Sequence, residues 1–75
     1  MKFKMQDYVR ITSNYPYDRI LRGETGNIIA LPTGEQTEEY LVKLDGEIAH
    51  PPFSIVRQIW VSVNWLEPAN QIRPK

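Results

Sequence analysis

The sequence predicts an all-β chain folded as a small antiparallel barrel, and three observations carry that expectation. No stretch repeats apolar residues at i, i+3, i+4 and i+7 through three turns, so no long helix is expected. Four segments alternate apolar and polar residues or gather β-branched ones, as half-buried strands do. Between them, clusters of Pro, Gly, Asn and Asp interrupt regular structure. The 75 residues leave room for one core, and closing the sheet on itself removes most of the edge that an open meander exposes.

The first segment, "DYVRIT" (residues 7–12), places Val9 and Ile11 on one face and Tyr8, Arg10 and Thr12 on the other. "SNYPYDRILRGETG" follows, and its Asn14, Pro16, Asp18 and two glycines predict a long loop. A loop of this length in a small domain is a place to look for function. "GNIIAL" (26–31) is the second strand, with β-branched Ile28 and Ile29. "PTGEQTE" (32–38) reads as a hairpin connection. In "EYLVKL" (39–44) Tyr40, Val42 and Leu44 share a face, opposite Leu41 and Lys43.

"DGE" (45–47) carries a strong turn signal. In "IAHPPF" (48–53) Pro51 and Pro52 cannot donate to a ladder, so a loop or an edge crossing is expected. "IVRQIWVSV" (55–63) resumes alternation: Ile55, Ile59, Val61 and Val63 fall on one parity, and Val56, Gln58, Trp60 and Ser62 on the other. "NWLEP" (64–68) fits a single helical turn, capped by Asn64, and a short closing strand. The expected domain is residues 1–69, with 70–75 a flexible C-terminal tail.

A chain this short buries only about 60% of its unfolded-state surface, yet it has no cysteine to staple it and a single histidine, His50. Disulfide frameworks, thiolate zinc sites and histidine-rich metal centres are therefore excluded, and no cofactor is expected. The formal net charge is zero but unevenly spread. Lys2, Lys4, Arg10, Arg19 and Arg22 outnumber Asp7 and Asp18 in the first 22 residues. Lys43 alone faces Glu24, Glu35, Glu38, Glu39, Asp45 and Glu47 in the middle. One acidic and one basic face would orient a partner with little overall attraction to polyanions. The N-terminus lacks the apolar stretch of a secretory signal, and the longest apolar run, "IIAL", is far short of a membrane span. The expectation is a cytoplasmic protein, or one on the soluble face of a membrane complex, with no membrane insertion.

Four stretches, "DYVRIT", "GETGNIIAL", "EYLVKLDG" and "IWVSVNWLEPA", together resemble an SH3-like barrel of the bacterial and plastid kind. The likeness covers roughly residues 5 to 69. It implies a five-stranded antiparallel barrel with a long first loop and one short 3₁₀ turn before the last strand. Within that superfamily the arrangement is similar to small accessory subunits of photosynthetic electron-transfer complexes. These include the stromal E subunit of photosystem I, the variable subunit of ferredoxin–thioredoxin reductase and small subunits of the photosynthetic NDH complex. It is also similar to KOW-type modules of transcription and ribosomal proteins. The "IAHPPF" insertion and the "PTGEQTEE" hairpin depart from those patterns, and so widely reused a scaffold does not fix function.

The candidate sites follow from side-chain chemistry. Gly23 and Gly26 are three apart, no Lys-Ser/Thr follows, and a strand rather than a helix comes next, so they are no phosphate loop. They are expected to supply a positive-φ turn and a close backbone approach or bulge. In "NYPYDR", Tyr15 and Tyr17 bracket Pro16 beside Arg19 and Arg22. Tyrosine and arginine recur at interface hot spots. The competing reading has one tyrosine covering the barrel end and the other solvated. The loop resembles that of peptide-binding SH3 domains in composition only. Trp60 projects outward if Ile59 and Val61 line the core, and either marks a partner surface or packs under the Pro51-Pro52-Phe53 loop. Trp65 is expected to plug the core, His50 to sit in a loop, and Glu35, Glu38 and Glu39 to be solvated hairpin residues.

No paired acid and base or activated nucleophile is identifiable, so no enzyme activity and no small-molecule substrate are expected. The expected function is a non-enzymatic protein–protein interaction module, a small accessory subunit or adaptor of a larger complex, of which photosynthetic electron transfer is one setting. Its partner-binding residues are Tyr15, Tyr17, Arg19, Arg22, Phe53 and Trp60. The alternative is a KOW-like module bound to RNA or DNA, although the neutral balance and acidic middle weaken phosphate affinity.

Overall fold

A computed structural model of the chain describes residues 2–34, 38–50 and 54–69, with 48–50 and 54 described by backbone alone. Five strands appear in chain order: β1 Tyr8–Ile11, β2 Thr25–Ala30, β3 Glu39–His50, β4 Ser54–Ser62 and β5 Leu66–Pro68. One 3₁₀ turn, Arg19–Leu21, lies in the β1–β2 connection, and a second, Val63–Trp65, leads into β5. All five strands form one antiparallel sheet in the order β4-β3-β2-β1-β5. The all-β expectation therefore holds. Among the described residues hydrogen bonding does not close the sheet, since β4 and β5 are its two ends.

Side-chain parity sets the core. Val9 and Ile11 of β1 point inward, joined by Ile28 of β2, Tyr40, Val42 and Leu44 of β3, Val61 of β4 and Leu66 of β5. Phe3, Tyr15 and Leu21 complete the cluster from outside the strands. Tyr40 is fully buried and its phenol is still satisfied. It accepts from the Phe3 amide at 3.1 Å and donates to the Glu38 carboxylate. The Phe3 ring meets Tyr40 edge-on, with centroids 5.4 Å apart. Glu38 also accepts from the Lys2 amide at 3.0 Å, so one carboxylate and one phenol fasten the N-terminal segment.

The two glycines near β2 do the distinct jobs expected of them. Gly23 has φ +81°, in open surroundings. Gly26 lies where β2 crosses β3, and a Cβ there would stand 2.2 Å from the Lys43 carbonyl oxygen. Only a residue without a side chain lets the backbones approach so closely.

The middle of the chain departs from expectation. "DGE" does not turn the chain, because β3 continues from Glu39 through His50. The register against β4 shifts between Lys43 and Ile48, so the four residues Leu44, Asp45, Gly46 and Glu47 stand opposite the single Arg57, an enlarged bulge within the strand. The Asp45 carboxylate anchors the bulge, accepting from the hydroxyls of Tyr8 and Thr25, the latter at 2.6 Å. Arg57 of β4 pairs with Glu47 at 2.9 Å on its other side. His50 ends a strand opposite Ser54 rather than sitting in a loop. The expected loop at Pro51, Pro52 and Phe53, the apex of "PTGEQTE" (35–37) and the expected tail at 70–75 lie outside the described residues. The turn before β5 is capped by Ser62, whose hydroxyl accepts from the Asn64 amide, and not by Asn64 itself. Trp65 is only half-buried and packs against the core's edge.

Candidate functional site

The β1–β2 connection is long but well tied. At its base the Ile11 amide donates to the Glu24 carbonyl and the Gly23 amide to that of Ile11, each at 2.8 Å. Asp18 caps the 3₁₀ turn by accepting from the Ile20 amide at 3.0 Å. Leu21, the last residue of that turn, drops into the core. Across the loop, Arg22 Nε donates to the Tyr15 carbonyl at 2.7 Å. Arg22 thus acts on the loop's own backbone while its side chain stays exposed.

The two tyrosines separate. Tyr15 is buried, at 5% exposure, whereas Tyr17 is 76% exposed and rests edge-on against it with ring centroids 5.5 Å apart. Tyr15 is accordingly a platform and Tyr17 the group it presents. Arg19 and Ile20 are exposed beside them.

Trp60 lies on β4, opposite Leu41 of β3, on the face turned away from the core. It is 46% exposed. Together with Thr33, Gly34 and Glu39 it lines a shallow cleft of about 310 Å³. Glu39 is opposite Ser62, so Trp60 and Glu39 are diagonal neighbours on one sheet face. Phe53, the remaining expected site residue, is outside the described residues.

Glu39 lines the cleft, and its charge is also felt in the loop. The Tyr15 phenol is held above its ordinary value of 10.0, first by burial and then by the negative charges of Asp18, Tyr17 when ionised, and Glu39. Two carboxylates therefore act on the seam between loop and sheet. Glu39 is exposed, as expected of a hairpin residue, but it also lines the cleft, which its sequence neighbourhood does not announce. The available signal was its parity with Leu41, but the pairing of Leu41 with Trp60 is set by the β3–β4 register.

A second cleft, of about 360 Å³, runs between the N-terminal segment and the end of β5, with Phe3, Tyr8 and Pro68 in its lining. Among the described residues, no group of three or more His, Asp or Glu side chains is placed to hold a metal ion. No helix there is long and apolar enough to cross a membrane. Comparison with protein-family models, curated proteins and solved structures found no match. What the chain does must therefore be read from its own surface.

Proposed function

We propose that the chain is an SH3-like barrel working as a non-enzymatic protein-interaction module, a small accessory subunit or adaptor of a larger complex. The strand order supports the barrel reading: β1 pairs with both β2 and β5, and a single 3₁₀ turn leads into the last strand. The observation that carries the interaction reading is the pair of exposed aromatics, Tyr17 on its Tyr15 platform and Trp60 in the cleft. Exposed aromatics on rigid supports offer large contact area at small entropic cost, as interface anchors do. Asp18 and Glu39 near this surface disfavour phosphate, so a protein partner is preferred to RNA or DNA.

The test is recovery of a partner from cells that natively make the protein. Tyr17→Ala with Trp60→Ala should abolish recovery while Ile55→Ala, at an exposed apolar site elsewhere on β4, leaves it intact. Unchanged recovery with the double variant refutes the surface. Oligonucleotide binding that weakens with rising salt would instead favour the nucleic-acid reading.

A further inference from the structure

We propose that the partner enters as an extended basic segment, added as a strand along the open edge of β4 and delivering a lysine or arginine to Glu39 across Trp60. This rests on the interaction reading above and names the chemistry of what is bound.

The Val63 amide donates to the Glu38 carbonyl at 2.8 Å, which makes 63 and 38 a hydrogen-bonded pair. Hydrogen-bonded and non-hydrogen-bonded pairs alternate along an antiparallel ladder. In the register of β3 with β4, Val61 and Ile59 then turn their backbone groups toward β3. Gln58, Trp60 and Ser62 turn theirs the other way. β4 ends the sheet order, and no strand among the described residues takes up those groups. A stretch of regular strand thus presents amides and carbonyls ready for another chain.

A residue added opposite Ser62 would lie in one cross-strand row with Ser62 and Glu39. Two interstrand spacings of ~4.8 Å put it ~10 Å from the Glu39 backbone. Ser62 is small, and a long cationic stem leaning over it and past the Trp60 ring closes that gap. Trp60 offers its π face to the cation and Glu39 its charge. No cation among the described residues pairs with the Glu39 carboxylate.

Charge also decides between occupants. A second copy pairing β4 with β4 would bring only Arg57, the one charged residue of that strand, and in the alternation of β4 Arg57 falls on the face opposite Trp60 and Ser62. A basic segment of another chain can place its cation on the Trp60 face.

The probe is a phage-displayed library of random nonapeptides selected on the intact chain, followed by synthesis of the enriched peptides. The expected result is enrichment of Lys or Arg at one fixed position among β-branched neighbours, with salt-sensitive binding. Glu39→Gln should weaken binding roughly tenfold, the loss of one charge-assisted contact. Gln58→Pro, whose amide faces the open edge and not β3, should abolish binding without lowering the melting temperature appreciably. Enrichment of acidic or proline-rich peptides, no enrichment at all, or basic peptides indifferent to Gln58→Pro would overturn the proposal. So would a dimer in sedimentation equilibrium that Gln58→Pro dissolves, which would assign the edge to a second copy. If partner recovery still depends on Tyr17 and Trp60 while the library fails, only strand addition falls. If recovery is also indifferent to those residues, the interaction surface falls with it.

Discussion

Replacing Tyr40 by Phe removes one oxygen atom from the edge of the core and tests how the N-terminal segment is held. The ring keeps its place against Phe3, so no cavity opens. What is lost is the acceptor for the Phe3 amide, a buried donor whose bond is 3.1 Å long. Leaving a buried donor unsatisfied costs about 1–3 kcal/mol. The Glu38 carboxylate loses its phenol donor too, but Glu38 is only half-buried and water replaces most of what that donor supplied. The expected loss is therefore about 2 kcal/mol, the larger part carried by the amide and a smaller part by Glu38. For a domain of this size that lowers the melting temperature by roughly 8–16 °C. Urea unfolding followed by tryptophan fluorescence should show a lower midpoint with an unchanged slope.

The same substitution carries a pH signature. Glu38 is held below its ordinary value of 4.5, first by the Tyr40 hydroxyl and next by the Lys2 amide. Its folded value is depressed, so its stabilising contribution is present above pH 4.5 and is lost as pH falls through the lower folded value. Tyr40→Phe removes the larger cause, so the stability gap between the native chain and the variant should narrow below about pH 4.5. A gap under about 0.5 kcal/mol at neutral pH, within the range of ordinary surface substitutions, would refute the reasoning. A gap that ignores pH would refute the coupling to Glu38.

Gly26→Ala drives a methyl to within 2.2 Å of the Lys43 carbonyl oxygen, so strands must part; we expect a loss of about 3 kcal/mol or no folded protein, read by circular dichroism. Gly23→Ala, at φ +81° in open space, should cost only about 1–2 kcal/mol in the same assay. Tyr17→Ala should leave stability within about 0.5 kcal/mol, because the side chain is 76% exposed. At high pH, Tyr15 and Tyr40 resist ionisation beyond their ordinary value of 10.0, chiefly because both are desolvated. Their raised folded values mean that the stability they contribute persists below pH 10 and is lost as pH rises through those values. An ultraviolet titration should show their ionisation coinciding with alkaline unfolding.

Much of the fold was legible because burial follows alternation. Val9 with Ile11, and Tyr40 with Val42 and Leu44, declare their faces in the bare sequence, since a strand's side chains repeat every two residues. The Asp45-Gly46-Glu47 bulge was not legible. Turn residues favour a reversal locally, but here a carboxylate bridged by Tyr8 and Thr25, residues distant in sequence, keeps the strand running. The site was legible in the same partial way. Residue chemistry drew attention to Tyr15, Tyr17 and Trp60, but which tyrosine sinks and which stays out depends on the core that Leu21 and Phe3 help to fill.

An all-β chain, most of its strand faces and the positive φ at Gly23 follow from local rules: a two-residue period, β-branched side chains, and a backbone conformation that only glycine adopts freely. The sequence marked Gly26 for close approach, but what it approaches, the Lys43 carbonyl, comes with the register, and register arises between strands. Register set Glu39 diagonal to Trp60, put Ser62 between Glu39 and the open edge, and turned the backbone groups of Gln58 and Trp60 outward. Pairing between strands is a long-range event, and a shift of one residue would send each of these groups to the opposite side.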